Sequence, residues 1–330
     1  MRELTRGLAL ALTASLALVA CGGEGGSGSS DKADAENYPS EDMDWTIAFG
    51  PGGGNDIMSR TLADILKKKE LYPKNLVLQN REGGSGATGW GYLFNQKGDP
   101  YAISTTSGSF ITTPLQADTG WKPEDFTPVG LFATDDALFI TDPKSKITTW
   151  EQWVSFAKEE KSVAVGGIGT VNVDFIIHAL LAEKAGYKID YVPFDEEGQL
   201  QTALLSGSLD ATVNNTGSIL GQVEAKKVNP LLFTGPEPLS ALPDVPTGES
   251  LGFADLPALP RGLILAPDAP DYAVQWWTDT MKEVVETPEW KEYIESNYLT
   301  PNVQWGEDFA TFLEETATEF ETTLKEQGAL

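Results

Sequence analysis

Four times along the chain a short apolar run gives way to a glycine-rich corner and then to residues with helical spacing. Trp45–Phe49 runs into GPGGGND, after which Ile57, Met58, Leu62, Ile65 and Leu66 recur on one face of Asp56–Lys69. Leu76–Gln79 leads into REGGSGATG, Tyr101–Thr105 into TSGSF, and Ser162–Val165 into GGIGTVN. Further on, Ile189–Pro193, Ala211–Asn214 and Leu231–Thr234 alternate with helical stretches near Gln199–Leu205 and Ser218–Ala225. This alternation predicts α/β layers with mainly parallel strands, arranged in two sheets.

Two apolar passages lack helical spacing: VGLFATDDALFITD at 129–142 and GLILAP at 262–267. They are expected to carry the chain from one domain to the other and back. The first domain is then discontinuous, 38–140 and 259–330, with 141–258 inserted as the second. The C-terminal part reads as helical and punctuated by Thr287-Pro288 and Thr300-Pro301. Val274, Trp277, Met281, Val284 and Val285 form one core stripe, and Phe309, Phe312, Leu313, Phe320 and Leu324 another.

The N-terminus has a different character. Arg2 and Arg6 precede a short apolar run, Leu8–Val19, which reads as an export signal over residues 1–20. Leu18-Val19-Ala20-Cys21 resembles a bacterial lipobox, which implies that Cys21 is lipidated and heads the mature chain. Residues 21–37 have the composition of a flexible tether. Cys21 is the one cysteine in the sequence, so burial rather than a disulfide must hold the fold. Roughly 290 residues remain, enough for two packed domains.

With 49 acidic and 23 basic residues, the formal charge is −26. Such a surface argues against nucleic acid and anionic lipid as partners. A small anion is still compatible, because surface fields are screened beyond about 8 Å at physiological salt. Local dipoles in a cleft then decide.

In open α/β sheets ligands sit beyond the carboxyl ends of strands, where loops enter helix N-termini. FGPGGGND, from Phe49 to Asp56, occupies such a place. Its residues either seat an anion on free backbone N–H groups or form a tight turn with Asn55 or Asp56 as helix cap. Gly84-Ser85-Gly86-Ala87-Thr88-Gly89 matches GxGxxG, but no acidic residue lies between Asp99 and Asp118 to hold a ribose. No GxxxxGK[ST] or GxSxG occurs, and His178, the single histidine, lies within an apolar helical stretch. Metal-ligand patterns are missing too, so neither a cofactor, a metal nor a catalytic residue is expected. Arg60 and Arg81 flank the glycine corners, where structural ion pairs are the preferred reading over ligand contacts.

Taken in order, several segments resemble the solute-binding receptors of tripartite tricarboxylate transporters, the Bug family. They are Tyr38-Pro39, FGPGGGND, QNREGGSGATG, EDFTPVG at 124–130, ALLSGSLDA at 203–211 and LPDVPTGESLG at 242–252. The resemblance implies a two-domain fold similar to type II periplasmic binding proteins, with crossing hinge segments. It also implies that a carboxylate is held at Phe49, Gly50, Gly52, Gly53, Gly54, Asn55, Asp56, Gly84, Ser85, Gly86, Ala87, Ser107, Gly167, Gly169 and Thr170, with Asn214 a further candidate. Ala48 stands where the family's proline precedes Phe49.

The expected function is capture of a di- or tricarboxylate, citrate-like, by a monomeric receptor. It would be lipid-anchored outside the cell membrane or in the periplasm and deliver to one large and one small membrane subunit. The expected recognition is by peptide N–H groups, without basic side chains. An extracytoplasmic enzyme acting on a carboxylate or nucleotide, and a sensory carboxylate-binding module, are the alternatives.

Overall fold

A computed structural model describes residues 35–194, 197–253, 256–326 and 328–330. The expected signal peptide, Cys21 and most of the tether lie outside these residues. Eleven strands and ten α-helices alternate along the described part from Met43 onward: β1 Met43–Ile47, α1 Gly54–Lys68, β2 Leu76–Asn80, α2 Ala87–Phe94, β3 Ala102–Thr105, α3 Gly108–Gln116, β4 Thr127–Asp135 and β5 Ala137–Thr141. Next come α4 Trp150–Glu159, β6 Val163–Ile168, α5 Val173–Ala185, β7 Ile189–Phe194, α6 Glu197–Ser206, β8 Ala211–Asn215, α7 Thr216–Glu224 and β9 Asn229–Phe233. The chain ends with β10 Leu259–Leu265, α8 Asp271–Val285, α9 Pro288–Ser296, β11 Thr300–Trp305 and α10 Glu307–Glu326.

The strands form two sheets, ordered β11-β4-β10-β3-β1-β2 and β7-β6-β8-β5-β9. Both are mixed, in place of the mainly parallel sheets expected. Parallel pairing joins β1 to β2 and β3, and β6 to β7 and β8. The antiparallel pairs all involve a crossing strand or its neighbour: β10 with β3 and β4, β11 with β4, and β5 with β8 and β9. A chain that leaves one sheet and returns beside its exit lays β10 against β4 in opposite directions.

Strand pairing places the first change of sheet at Asp136, because β5 pairs within the second sheet from Ala137 onward. The passage 129–142 read from the sequence thus contains most of β4, the change of sheet and β5. β11 is a second difference, in a stretch read as helix punctuated by Pro301. It is an edge strand, where a missing N–H is tolerated.

Most of the stripe residues read from the sequence are buried, whereas Ile57 is exposed and Val274 and Phe312 are half-buried. Met58, Leu62 and Leu66 of α1 face α8, whose Trp277 is fully buried edge-on to Trp45, with ring centres 6.2 Å apart. Tyr72 stacks on the other side of Trp277, at 5.9 Å. The indole N–H donates to Tyr38 Oη at 2.9 Å, and Tyr38 Oη donates to the carbonyl of Pro100 at 2.9 Å. Tyr38, the first residue after the expected tether, is thus tied into the core. Trp277→Ala removes this ring and leaves a cavity, at a cost of about 3–5 kcal/mol. Urea unfolding should show the corresponding fall in midpoint with little change in slope.

Candidate functional site

The glycine corner between β1 and α1 is fastened from behind by Asp56. Its carboxylate accepts from the Gly52 N–H at 2.9 Å, Arg60 Nε at 2.9 Å and Asn80 Nδ2 at 2.9 Å. Asn80 Nδ2 also donates to the Phe49 carbonyl at 2.8 Å, closing the corner against the end of β2. Burial pushes the Asp56 carboxyl up, but these donors and the Arg60 charge outweigh it and hold the group at about 2. Asp56 is therefore a clamp, and it does not line the cavity in front of the corner. Arg60 is spent on Asp56, while Arg81 pairs with Asp44 at 3.6 Å and lies over the Tyr92 ring.

In front of the corner lies a cavity of about 610 Å³, lined by residues from both sheets. Four helix starts reach it: Gly53–Asn55 of α1, Ser107 and Ser109 of α3, Asn172 and Asp174 of α5, and Asn215, Gly217 and Ser218 of α7. The caps of α1, α3 and α7 supply no side-chain hydrogen bond. First-turn N–H groups have no partner within their own helix, and each helix start carries about half a positive charge. Among the described residues, Ser107 Oγ and Asn55 Nδ2 are buried without a hydrogen-bond partner, whereas Asn55 Oδ1 accepts from Thr105 Oγ1.

Of the residues named from sequence, Phe49, Gly52, Gly53, Gly54, Asn55 and Ser107 come together on this cavity. Gly50 packs against Glu82 instead. Gly84, Ser85 and Ala87 lie outside the lining, and a side chain at Gly86 would fall inside the Trp90 ring, so close packing accounts for that glycine. Gly167 backs onto Asp174 and Tyr191, the Gly169 carbonyl accepts from Tyr191 Oη at 3.0 Å, and Thr170 is exposed. These three flank Ile168, which does reach the cavity. Asn214 is buried beside Thr212, while its neighbour Asn215 faces the cavity.

The sequence reading missed Asp135 and Arg261, which form a buried ion pair on the cavity wall. A lone charge inside an apolar strand is the signal that would have found them, since a buried charge needs a partner. Asp135 also accepts from Asn215 Nδ2 at 2.7 Å. Asp136 turns away and borders a second cavity with Thr134 and Thr300. Burial pushes its carboxyl up to about 6, with the Asp135 charge adding to the rise and the Thr300 and Thr134 hydroxyls opposing it. His178 is buried with Nε2 3.1 Å from the Gly166 carbonyl, and burial lowers it to about 4, so its ring is neutral at pH 7.

The fold is that of periplasmic binding proteins. An R. palustris protein solved with adipate superposes with a TM-score of 0.77 at 21% identity, covering 88% of this chain and 98% of that one. MatC from Rhodopseudomonas palustris with bound malate gives 0.72 at 17% identity, covering 87% and 100%. Protein BugT of Bordetella pertussis is 26% identical over 247 residues, 72% of this chain and 74% of that protein. The model of the tripartite tricarboxylate transporter family receptor, TctC, matches residues 58–329. The chain belongs to that receptor family.

Two pH responses follow, of opposite sign. Asp56 titrates lower in the fold than the ordinary 3.8, so its contribution is present above that value and lost as pH falls towards 2. Asp56→Ala should cost about 1–3 kcal/mol at pH 7, and less near pH 2, by chemical denaturation. Asp136 titrates higher in the fold, so its contribution is full below 3.8 and lost as pH rises through about 6. Asp136→Asn should therefore raise the melting temperature at pH 8 relative to the parent, with the gain gone by pH 4.

Proposed function

We propose that the protein is an extracytoplasmic receptor that takes a small organic carboxylate into the cavity between its two sheets and delivers it to a tripartite tricarboxylate transporter permease. One observation carries this reading: three helix starts without side-chain caps meet on one cavity that also holds an unpartnered buried hydroxyl, Ser107 Oγ. Amide dipoles from several helix starts converging on one cavity suit an acid group. The volume of about 610 Å³ lies in the range of small-molecule sites. The adipate and malate of the structural neighbours agree with this ligand class.

The finer parts of the reading belong to the same proposal. Residues 38–140 with 259–330, and 141–258, act as two domains closing over the solute. Cys21 anchors a monomer by lipid outside the membrane, and a large and a small membrane subunit receive the solute. The role is binding without turnover.

A thermal-shift series with succinate, adipate, malate, citrate and benzoate tests the ligand class. An acid at 100 times its dissociation constant stabilises the folded state by about 2.7 kcal/mol. Gly53 has room for a side chain on the protein's side, the nearest atom to a built Cβ being the Gly50 carbonyl oxygen at 3.8 Å. Gly53→Val should therefore fold yet lose the shift, because the added methyls enter the cavity. A variant that shifts as the parent does would move the acid away from this corner. Release of a chemically altered acid on prolonged incubation would favour an enzyme instead.

A further inference from the structure

The lining of the main cavity contains one basic side chain, Arg261, among the described residues. It comes from β10, the returning crossing strand, and its side chain is 6% exposed. The guanidinium lies against the first residue of α1: a Cβ built on Gly54 would sit 2.6 Å from Nη2 and 3.2 Å from Nη1. Gly54 lacks a side chain where the arginine needs the space. Arg261 therefore occupies the point where the positive end of α1 opens into the cavity.

Its partner is Asp135, which binds Nη2 and also accepts from Asn215. The pairing is incomplete, since Arg261 Nε and Asp135 Oδ1 are both buried without hydrogen-bond partners among the described residues. A guanidinium carries five N–H donors in a planar fork, and Asp135 engages one nitrogen. The charge balance sharpens the point. Asp135 and Asp174 both line the cavity, and the Asp174 carboxylate accepts from the Ile168 N–H at 2.7 Å. An acid ligand would bring a third carboxylate into about 610 Å³. Arg261 is the lining side chain that offsets it.

We propose that Arg261, held in place by Asp135, is the residue that makes this cavity select a negatively charged acid group: the ligand's carboxylate docks in the corner between the guanidinium and the first turn of α1. This rests on the carboxylate-receptor reading and revises the expectation that peptide N–H groups act without a basic side chain. Asp135 is a positioning residue. Its carboxylate fixes the fork, and the incoming acid shares the guanidinium with it.

The test uses adipate, malate and citrate as probes, with neutral adipamide as control, by calorimetric titration of the full chain. The parent should bind at least one acid and ignore adipamide. Removing one member of a buried pair strands the other, so the informative variant is the double one, Arg261→Gln with Asp135→Asn, in which both side chains are neutral. It should melt near the parent temperature and bind the acid at least about 100-fold more weakly. Arg261→Lys should fall between, because the charge survives without the fork. A folded double variant with parental affinity overturns the proposal and leaves the receptor reading intact. A parent that binds none of the three acids overturns both. Should the double variant fail to fold, a crystal of the parent with its tightest acid decides: an acid oxygen within hydrogen-bond distance of Arg261 supports the assignment, and one remote from it refutes the assignment.

Discussion

The antiparallel pairing of β4 with β10 is the constraint on which the remaining features hang. These strands carry the chain out of the first sheet and back, and they pair from Leu259 with Asp135 to Leu265 with Thr127. Their register brings Asp135 and Arg261, 126 residues apart in sequence, onto one wall of the cavity. The break at Asp136 then sends β5 into the second sheet, so Asp135 on the cavity wall stands next to the point where the chain changes sheet. Contacts from both sides converge here, with Asn215 at the start of α7 reaching Asp135 and Thr216 Oγ1 donating to the Asp136 carbonyl at 2.9 Å.

A chain with a formal charge of −26 can still receive an anion because the deciding fields are short-ranged. The surface acids act through water and salt, whereas the helix starts and Arg261 lie at the cavity itself, within a few ångströms of anything it holds. Asp56 shows the same economy on the other side of the corner. Its charge is absorbed by Gly52, Arg60 and Asn80, so it shapes the loop without adding to the negative potential in front of it.

Much of the architecture is legible in the sequence because strand-to-helix alternation is a local signal. Each glycine corner announces its own junction, and Phe49, Gly53, Asn55 and Ser107 lie on the cavity because the carboxyl ends of strands always carry the loops that meet there. Direction and partnership are not local. Nothing in GLILAP or VGLFATDDALFITD states that these segments lie side by side and run in opposite senses, which is why the mixed sheets and the Arg261–Asp135 pair emerge only in three dimensions. β11 was hidden for a different reason, since Pro301 reads as punctuation until the strand is seen to lie at an edge. The glycines of GxGxxG show the limit of motif reading, for Gly86 is explained by the Trp90 ring behind it.

The closeness of Gly54 and Arg261 binds the histories of two distant positions. A side chain at 54 would meet the guanidinium, so enlarging that position displaces the tip of Arg261 from the start of α1. The bareness of position 54 is thus part of how the guanidinium keeps its place at the mouth of α1, although the two residues are far apart in sequence.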